Sequence, residues 1–240
     1  MDKKWVKKIE KNIPSHMPNP NPAFRLNVFA PSYSGKSFAI NDLLTNPKYG
    51  YSKVFKPDQI FIMSPTYETD ESYKDLKKVM EGHEQNVVDH YDEDFILAIL
   101  DFQKKKKREK KARPVLLLVD DLITTINQKR QNEMVNIYIR ARHQYVSCIL
   151  TSQKYKLVNS PIRVNACSNI YFSNRMNRKE LNDISEECPD NFFYELAKDL
   201  RRNNHFDYYF IFMNLKKPFS QRYYRNWDKC FKIDNNYLED

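Results

Sequence analysis

Two stretches of this chain carry residue types that could bind and break a phosphoanhydride. The first is Ala30–Pro31–Ser32–Tyr33–Ser34–Gly35–Lys36–Ser37, followed by Phe38. An apolar run, Leu26 to Ala30, precedes it and reads as a buried strand. A helical pattern begins at Lys36 and stops by about Leu44, before Pro47. Strand, turn-rich loop, Gly-Lys-Ser and helix, in that order, is the context that makes a phosphate-binding loop credible. Backbone N–H groups of such a loop wrap the phosphates. Gly35 lets the chain turn tightly beside the ligand. Lys36 sets its ammonium against the β- and γ-phosphates, and the Ser37 hydroxyl takes a place in a Mg²⁺ shell. The full signature begins with Gly, where this chain has Ala30; Ala is tolerated there if its φ is negative. The competing reading is an ordinary strand–turn–helix.

The second stretch is Val115–Leu116–Leu117–Leu118–Val119 closed by Asp120–Asp121, a Walker B pattern. A central parallel strand carries its last residues to the carboxyl edge of the sheet, beside the phosphate loop. There Asp120 can hold Mg²⁺ partly through water, and Asp121 can act as base or water-positioner. Two adjacent acids after an apolar run are costly without a cation; a helix cap explains one of them more readily than both. A third run, Tyr145 to Leu150, ends in the polar triplet Thr151–Ser152–Gln153. Placed between the other two strands, it would turn Gln153 toward the γ-phosphate. The plainer alternative is a polar strand end.

These elements need a sheet with helices around it, and 240 residues suffice for one sizeable α/β domain. Hydrophobic content of 41%, with 16 Tyr and 15 Phe, supports a core. The net charge of +9 favours a polyanionic partner or, equally, a Lys-rich solvated surface. Cys148, Cys167, Cys188 and Cys230 are scattered without a C-x-x-C pair, which argues against zinc and for a reducing compartment. Neither a signal peptide nor a membrane-spanning run is evident.

In chain order, residues 1–22 form a basic arm, amphipathic to Glu10 and then rich in proline; residues 23–240 form the domain. Gln59–Met63 reads as a strand, Asp70–Met80 as a helix, Asn86–Tyr91 as a short strand and Asp92–Gln103 as a helix. That helix runs into the basic block Lys104–Lys111, an exposed helix end or a DNA contact. Asn127–Ala141 is a helix with Met134, Ile137, Tyr138 and Ala141 on one side. Asn169–Phe172 is a strand, and Lys179–Glu187 and Asn191–Leu200 are helices. Tyr208–Met213 and Phe219–Tyr224 suggest an aromatic-rich edge hairpin, whose interleaved arginines and lysines serve either base stacking or edge protection.

Five motifs in order now carry a resemblance. They are Ala30-x-x-x-x-Gly35-Lys36-Ser37, Leu-Leu-Leu-Val-Asp120-Asp121, Arg140-x-Arg142-His143, Thr151–Ser152–Gln153 and Ile162–Arg163–Val164–Asn165–Ala166. The chain resembles, from about Phe24 to Phe172, the DNA-packaging ATPases of large DNA viruses, virophages and Polinton-type elements, compact members of the FtsK–HerA group. The resemblance implies a single RecA-like P-loop ATPase domain of α/β class, its central sheet mostly parallel, with helices on both faces and a C-terminal antiparallel edge hairpin. It implies ATP and Mg²⁺ as cofactors, bound by residues 30–38, with Ser37 and Asp120 on the metal, Asp121 in place of the more usual Glu, and Gln153 as sensor. Arg142 and Arg163 become candidates for an arginine finger reaching a neighbour's ATP. Expected partners are double-stranded DNA, further copies of the chain in a ring, and capsid proteins, with no membrane; the expected setting is host cytoplasm or a viral factory. The expected function is a motor that packages viral DNA. The alternatives are a helicase-like nucleic-acid ATPase and a nucleotide-binding scaffold at a capsid vertex, with a small-molecule kinase further off.

Overall fold

The computed structural model describes residues 3–123, 126, 131–203 and 209–233. Its centre is built from apolar runs buried on both faces, as parallel strands are. β1 (Arg25–Phe29), β2 (Ile60–Met63), β3 (Val87–Val88), β4 (Val115–Val119), β5 (Val146–Ser152) and β6 (Ser168–Tyr171) pair in parallel. β7 (Ile211–Asn214), β8 (Tyr223–Arg225) and β9 (Lys229–Cys230) continue the sheet in antiparallel fashion. Among the described residues the order is β3-β2-β4-β5-β1-β6-β7-β8-β9. The expected fold class is therefore observed, edge hairpin included. β5 lies between β1 and β4, so the phosphate-loop strand and the Asp-Asp strand are separated by the strand that ends in Thr151–Ser152.

Alternate residues of each strand feed two cores. Phe29, Leu117, Val119, Cys148 and Leu150 face a layer containing α5 (Glu93–Arg108), α6 (Asn132–Ile139), α8 (Arg178–Glu187) and α9 (Phe192–Asn203). Leu26, Val28, Leu116, Leu118 and Ile149 face α2 (Lys36–Thr45), α3 (Tyr51–Val54) and α4 (Lys74–Met80). Helix starts follow local chemistry: Asp70 accepts from the Ser72 N–H, Asp92 from Phe95 and Asn177 from Glu180. The expected helix from Asn127 is seen only from Asn132; residues 127–130 lie outside the described set. Met134, Ile137, Tyr138 and Ala141 are buried as the periodicity requires. At the hairpin, Phe210, Phe212, Tyr224 and Trp227 pack edge to face or tilted against one another, which is edge packing and not an open stacking platform. Tyr208 lies outside the described residues.

The N-terminal arm covers its own domain. α1 (Lys3–Asn12) buries Ile9, and Ile13 and Met17 follow it into the second core. The proline-rich lead-in is tied down: Tyr51 donates to the Pro18 carbonyl at 2.6 Å and Asn214 to that of His16 at 2.8 Å. Gly50 makes this docking possible. Its φ is +76°, and a Cβ there would lie 2.0 Å from the Asn12 carbonyl oxygen at the end of α1.

Gly50→Ala therefore combines left-handed strain of about 1–2 kcal/mol with a backbone collision. We expect a melting temperature lower by about 4 °C or more in a chain of this size. Gly82→Ala, at φ +78° with open space around the new methyl, should cost only the strain. Equal losses in the two thermal melts would contradict the close approach of the arm.

Candidate functional site

The phosphate loop leaves β1 at the carboxyl edge. Ala30 is fully buried, and its N–H donates to the Ser152 carbonyl at 3.1 Å. It is absent from the residues with positive φ, so the condition for replacing Gly holds. Tyr33 (φ 60°) and Gly35 (φ 90°) take the two left-handed turns that bring the chain into α2. Gly35 is the N-cap, which leaves no side chain to occupy the first amides of the helix. Ser34 is buried with no partner for its hydroxyl. Tyr33 and Phe38, in contrast, are 97% and 65% exposed. Both line a cavity of about 630 Å³ beside the loop, whose far wall is Phe172, Phe210 and Trp227.

β4 delivers the acids to the same place. Lys36 is buried and its ammonium is hydrogen-bonded to the Asp121 carboxylate. Asp120 is almost wholly buried. Its Oδ1 accepts from the Thr151 hydroxyl at 2.7 Å and its Oδ2 from Ser64 at 3.2 Å. Thr151 Oγ1 also accepts the Asp121 N–H at 2.8 Å, so one hydroxyl of β5 fixes both acids. Asp121 needs that support, since its backbone is left-handed, at φ 54°. Burial pushes the Asp120 carboxyl above its ordinary range; the Thr151 hydrogen bond and Lys36 oppose the shift, and the charge of Asp121 adds to it.

Two further groups arrive from the segment after β2. The Tyr73 phenol is buried and lies against Asp120 and Ser37. Asp70 lies beside Ser37. Burial works against its charged form, but interactions with Ser72, Ser37 and Lys36 prevail and hold its pKa low. Sequence reasoning missed Ser64, Asp70, Tyr73 and Thr151 as site residues. Ser64 and Thr151 carried a signal, being polar closures of buried strands; Asp70 and Tyr73 carried none. Together Ser37, Asp70, Tyr73 and Asp120 make an oxygen-only surround suited to a hard cation that keeps waters and phosphate oxygens as ligands. Among the described residues no group of three or more His, Cys, Asp or Glu forms a metal cage by itself.

The remaining expected residues are more dispersed. Gln153 follows Ser152, which is the register partner of Phe29, so its backbone lies next to the phosphate loop; its side chain is half-exposed. Arg142 is exposed and lies in the 3-10 turn Ala141–Gln144 before β5, at the amino edge of the sheet. Arg163, in α7 (Ser160–Val164), is engaged within the chain. It donates to Glu187 from Nε at 2.9 Å and from Nη2 at 2.7 Å, and lies 4.9 Å from the Tyr155 ring centre. Burial disfavours the charged Glu187 carboxylate, yet hydrogen bonds from Arg163, Lys156 and Tyr155 pull its pKa to about 2.

Two measurements check this chemistry. Asp120→Asn removes a buried charge whose ionisation is disfavoured, so at neutral pH the melting temperature should hold or rise; a fall of several degrees contradicts the account. For Glu187 the folded pKa lies below the ordinary 4.5. Its contribution is complete above pH 4.5 and disappears as pH falls toward 2. Arg163→Ala should therefore melt lower than the parent at neutral pH, and the gap should close over that acid window.

A model of the family described as "Poxvirus A32 protein" matches residues 19–187. No curated protein sequence matches the chain. The fold is that of the genome packaging NTPase B204 from Sulfolobus turreted icosahedral virus 2. The B204 complex with ATP-gammaS aligns at TM-score 0.56 and 19% identity over 87% of this chain and 99% of that one. The complex with AMP gives TM-score 0.58 and 20% identity over 86% and 98%. The DNA-packaging ATPase B204 from Sulfolobus turreted icosahedral virus aligns at TM-score 0.56 and 19% identity, over 86% and 98%. With a family model matched along most of its length and the phosphate loop, buried acid and central strand order in place, this chain belongs to the poxvirus A32 protein family.

Proposed function

We propose that the chain is an ATP-hydrolysing motor that drives double-stranded DNA into a viral capsid. The observation that carries the reading is the convergence of Lys36, Ser37, Asp120 and Asp121 at one end of the sheet. Membership of the A32 family and the fold of the packaging NTPase support it.

The triphosphate lies along the amides between Ala30 and Ser37, with Lys36 against its β- and γ-oxygens. Ser37 and Asp120 hold Mg²⁺, which when bound neutralises charge on the phosphates. The purine sits in the aromatic cavity flanked by Tyr33 and Phe38; their exposure costs apolar hydration that a stacked base would relieve. Asp121 polarises the attacking water. It is hydrogen-bonded to Lys36 in this structure, and a γ-phosphate would compete with it for that ammonium. Gln153 reads the occupancy of the site from the end of β5. An arginine of a neighbouring subunit completes it: Arg142 is exposed and can serve without cost to the fold, whereas Arg163 would first have to leave Glu187. The motor works as a ring that docks on capsid proteins. Among the described residues no helix is long and apolar enough to cross a membrane.

ATP turnover measured with and without duplex DNA tests the reading, and strong stimulation is expected. Nucleotide binding without turnover would favour a scaffold, and phosphate transfer to a small acceptor a kinase. Asp121→Asn should keep ATP affinity within about threefold and lower kcat by about 100-fold or more, the scale of a lost general base. Intact turnover would remove Asp121 from that role.

A further inference from the structure

A second concave site lies at the opposite edge of the sheet. Val115, the first residue of β4, and Gln59, immediately before β2, are at its floor. β4 spans roughly 16 Å at about 3.3 Å per residue, which separates this floor from Asp120. The cavity measures about 580 Å³ and is lined by Lys4 of α1, Lys106 of α5, and Lys110, Lys111 and Arg113 of the following loop. The one carboxylate in its lining is Asp58.

The floor is rigid. Gln103, 1% exposed, donates to the Arg113 carbonyl at 2.7 Å, and Gln59, 3% exposed, donates to that of Pro114 at 2.6 Å. Arg113 and Lys8 sit 5.9 Å and 4.6 Å from the ring centre of Trp5, which brings α1 to the rim. Lys106 approaches Glu109 at 3.7 Å, and Lys110, Lys111 and Arg113 form no ion pair among the described residues. Lys8 nearby titrates low, through burial and then repulsion from Lys56, Lys4 and Arg113.

The end of α5 is a Schellman closure: the Lys111 N–H donates to the Lys106 carbonyl at 2.9 Å and the Lys110 N–H to that of Lys107 at 3.0 Å. The left-handed position in this closure is held by Lys110, at φ 59°. Glycine is the usual residue there, because a Cβ is strained in the left-handed conformation. A left-handed lysine thus stands in the lining of an already cationic cavity, the kind of outlier from which a functional role is inferred.

We propose that this groove at the amino edge of the sheet binds the phosphodiester backbone of duplex DNA through Lys4, Lys106, Lys110, Lys111 and Arg113, as a contact remote from the ATP site. The cations come from two chain segments, Lys4 and the stretch 106–113, around a concave surface, which suits successive phosphates better than a single anion. The choice of DNA over an acidic protein rests on the packaging motor proposed above.

The test is the affinity of the full-length chain for a short fluorescent duplex, measured across a salt series, for the parent and for a triple variant Lys106→Gln, Lys110→Gly, Lys111→Gln. Each phosphate contact contributes about 0.9 to the slope of log affinity against log salt. The variant should lose about two to three units of slope and at least tenfold in affinity. Its ATP turnover without DNA should be unchanged. Lys110→Gly alone should raise the melting temperature, because glycine relieves the left-handed strain, and should still weaken DNA binding. Affinity and slope equal to those of the parent would overturn the proposal and assign the groove to another anion, such as an acidic protein segment. If DNA stimulates the parent and the variant alike, the motor stands and the groove falls. If the variant loses DNA binding while the parent shows no stimulation, the groove stands and the motor falls.

Discussion

The ammonium of Lys36 and the carboxylate of Asp121 meet at the end of the sheet, and most of the architecture exists to let them do so. The two residues are 85 positions apart in sequence. One opens a helix on the second core; the other ends a strand whose neighbours fill both cores. A buried acid beside a second acid is unfavourable, since desolvation and like charge act together. The fold offsets this with directed groups: the Thr151 and Ser64 hydroxyls on Asp120, and Lys36 on its neighbour. Thr151 can reach both acids only because β5 runs between β1 and β4. Strand order is thus a requirement of the chemistry as well as of packing.

Three of the five left-handed non-glycine residues among those described lie at the two sites, the others being Tyr145 and Asn226. Tyr33 and Asp121 are left-handed at the ATP site and Lys110 at the basic groove, and each departs from what its residue type prefers by about 1 kcal/mol or more. The two apolar layers supply the stability that tolerates these costs. Their residues are buried on both faces of the parallel strands, so the sheet is a stiff beam with a nucleotide site at one edge and a cationic groove at the other.

Much of this was legible in the residues. Continuous apolar runs identified the parallel strands, because such strands have no wet face to alternate toward. Gly35-Lys36-Ser37 and Asp120–Asp121 stood out by type and position, and the fold brings them to one end of the sheet. What was not legible depends on long-range geometry. In the triplet Thr151–Ser152–Gln153 the sequence drew attention to the glutamine, yet the threonine is the residue bonded to both acids. Tyr73 and Asp70 reach the site from a segment with no motif. Arg163, a candidate finger by resemblance, is clasped by Glu187. Lys110 read as one more cation in a run, and only its φ sets it apart.

The central claim is that Lys36, Ser37, Asp120 and Asp121 surround one metal–triphosphate. A crystal structure with Mn²⁺ and a slowly hydrolysed ATP analogue, read through the anomalous signal of manganese, tests it most directly. The account predicts a single manganese peak beside Ser37 and Asp120, with the γ-phosphate between Lys36 and Asp121. A nucleotide bound elsewhere, or a manganese site apart from Asp120, would contradict it.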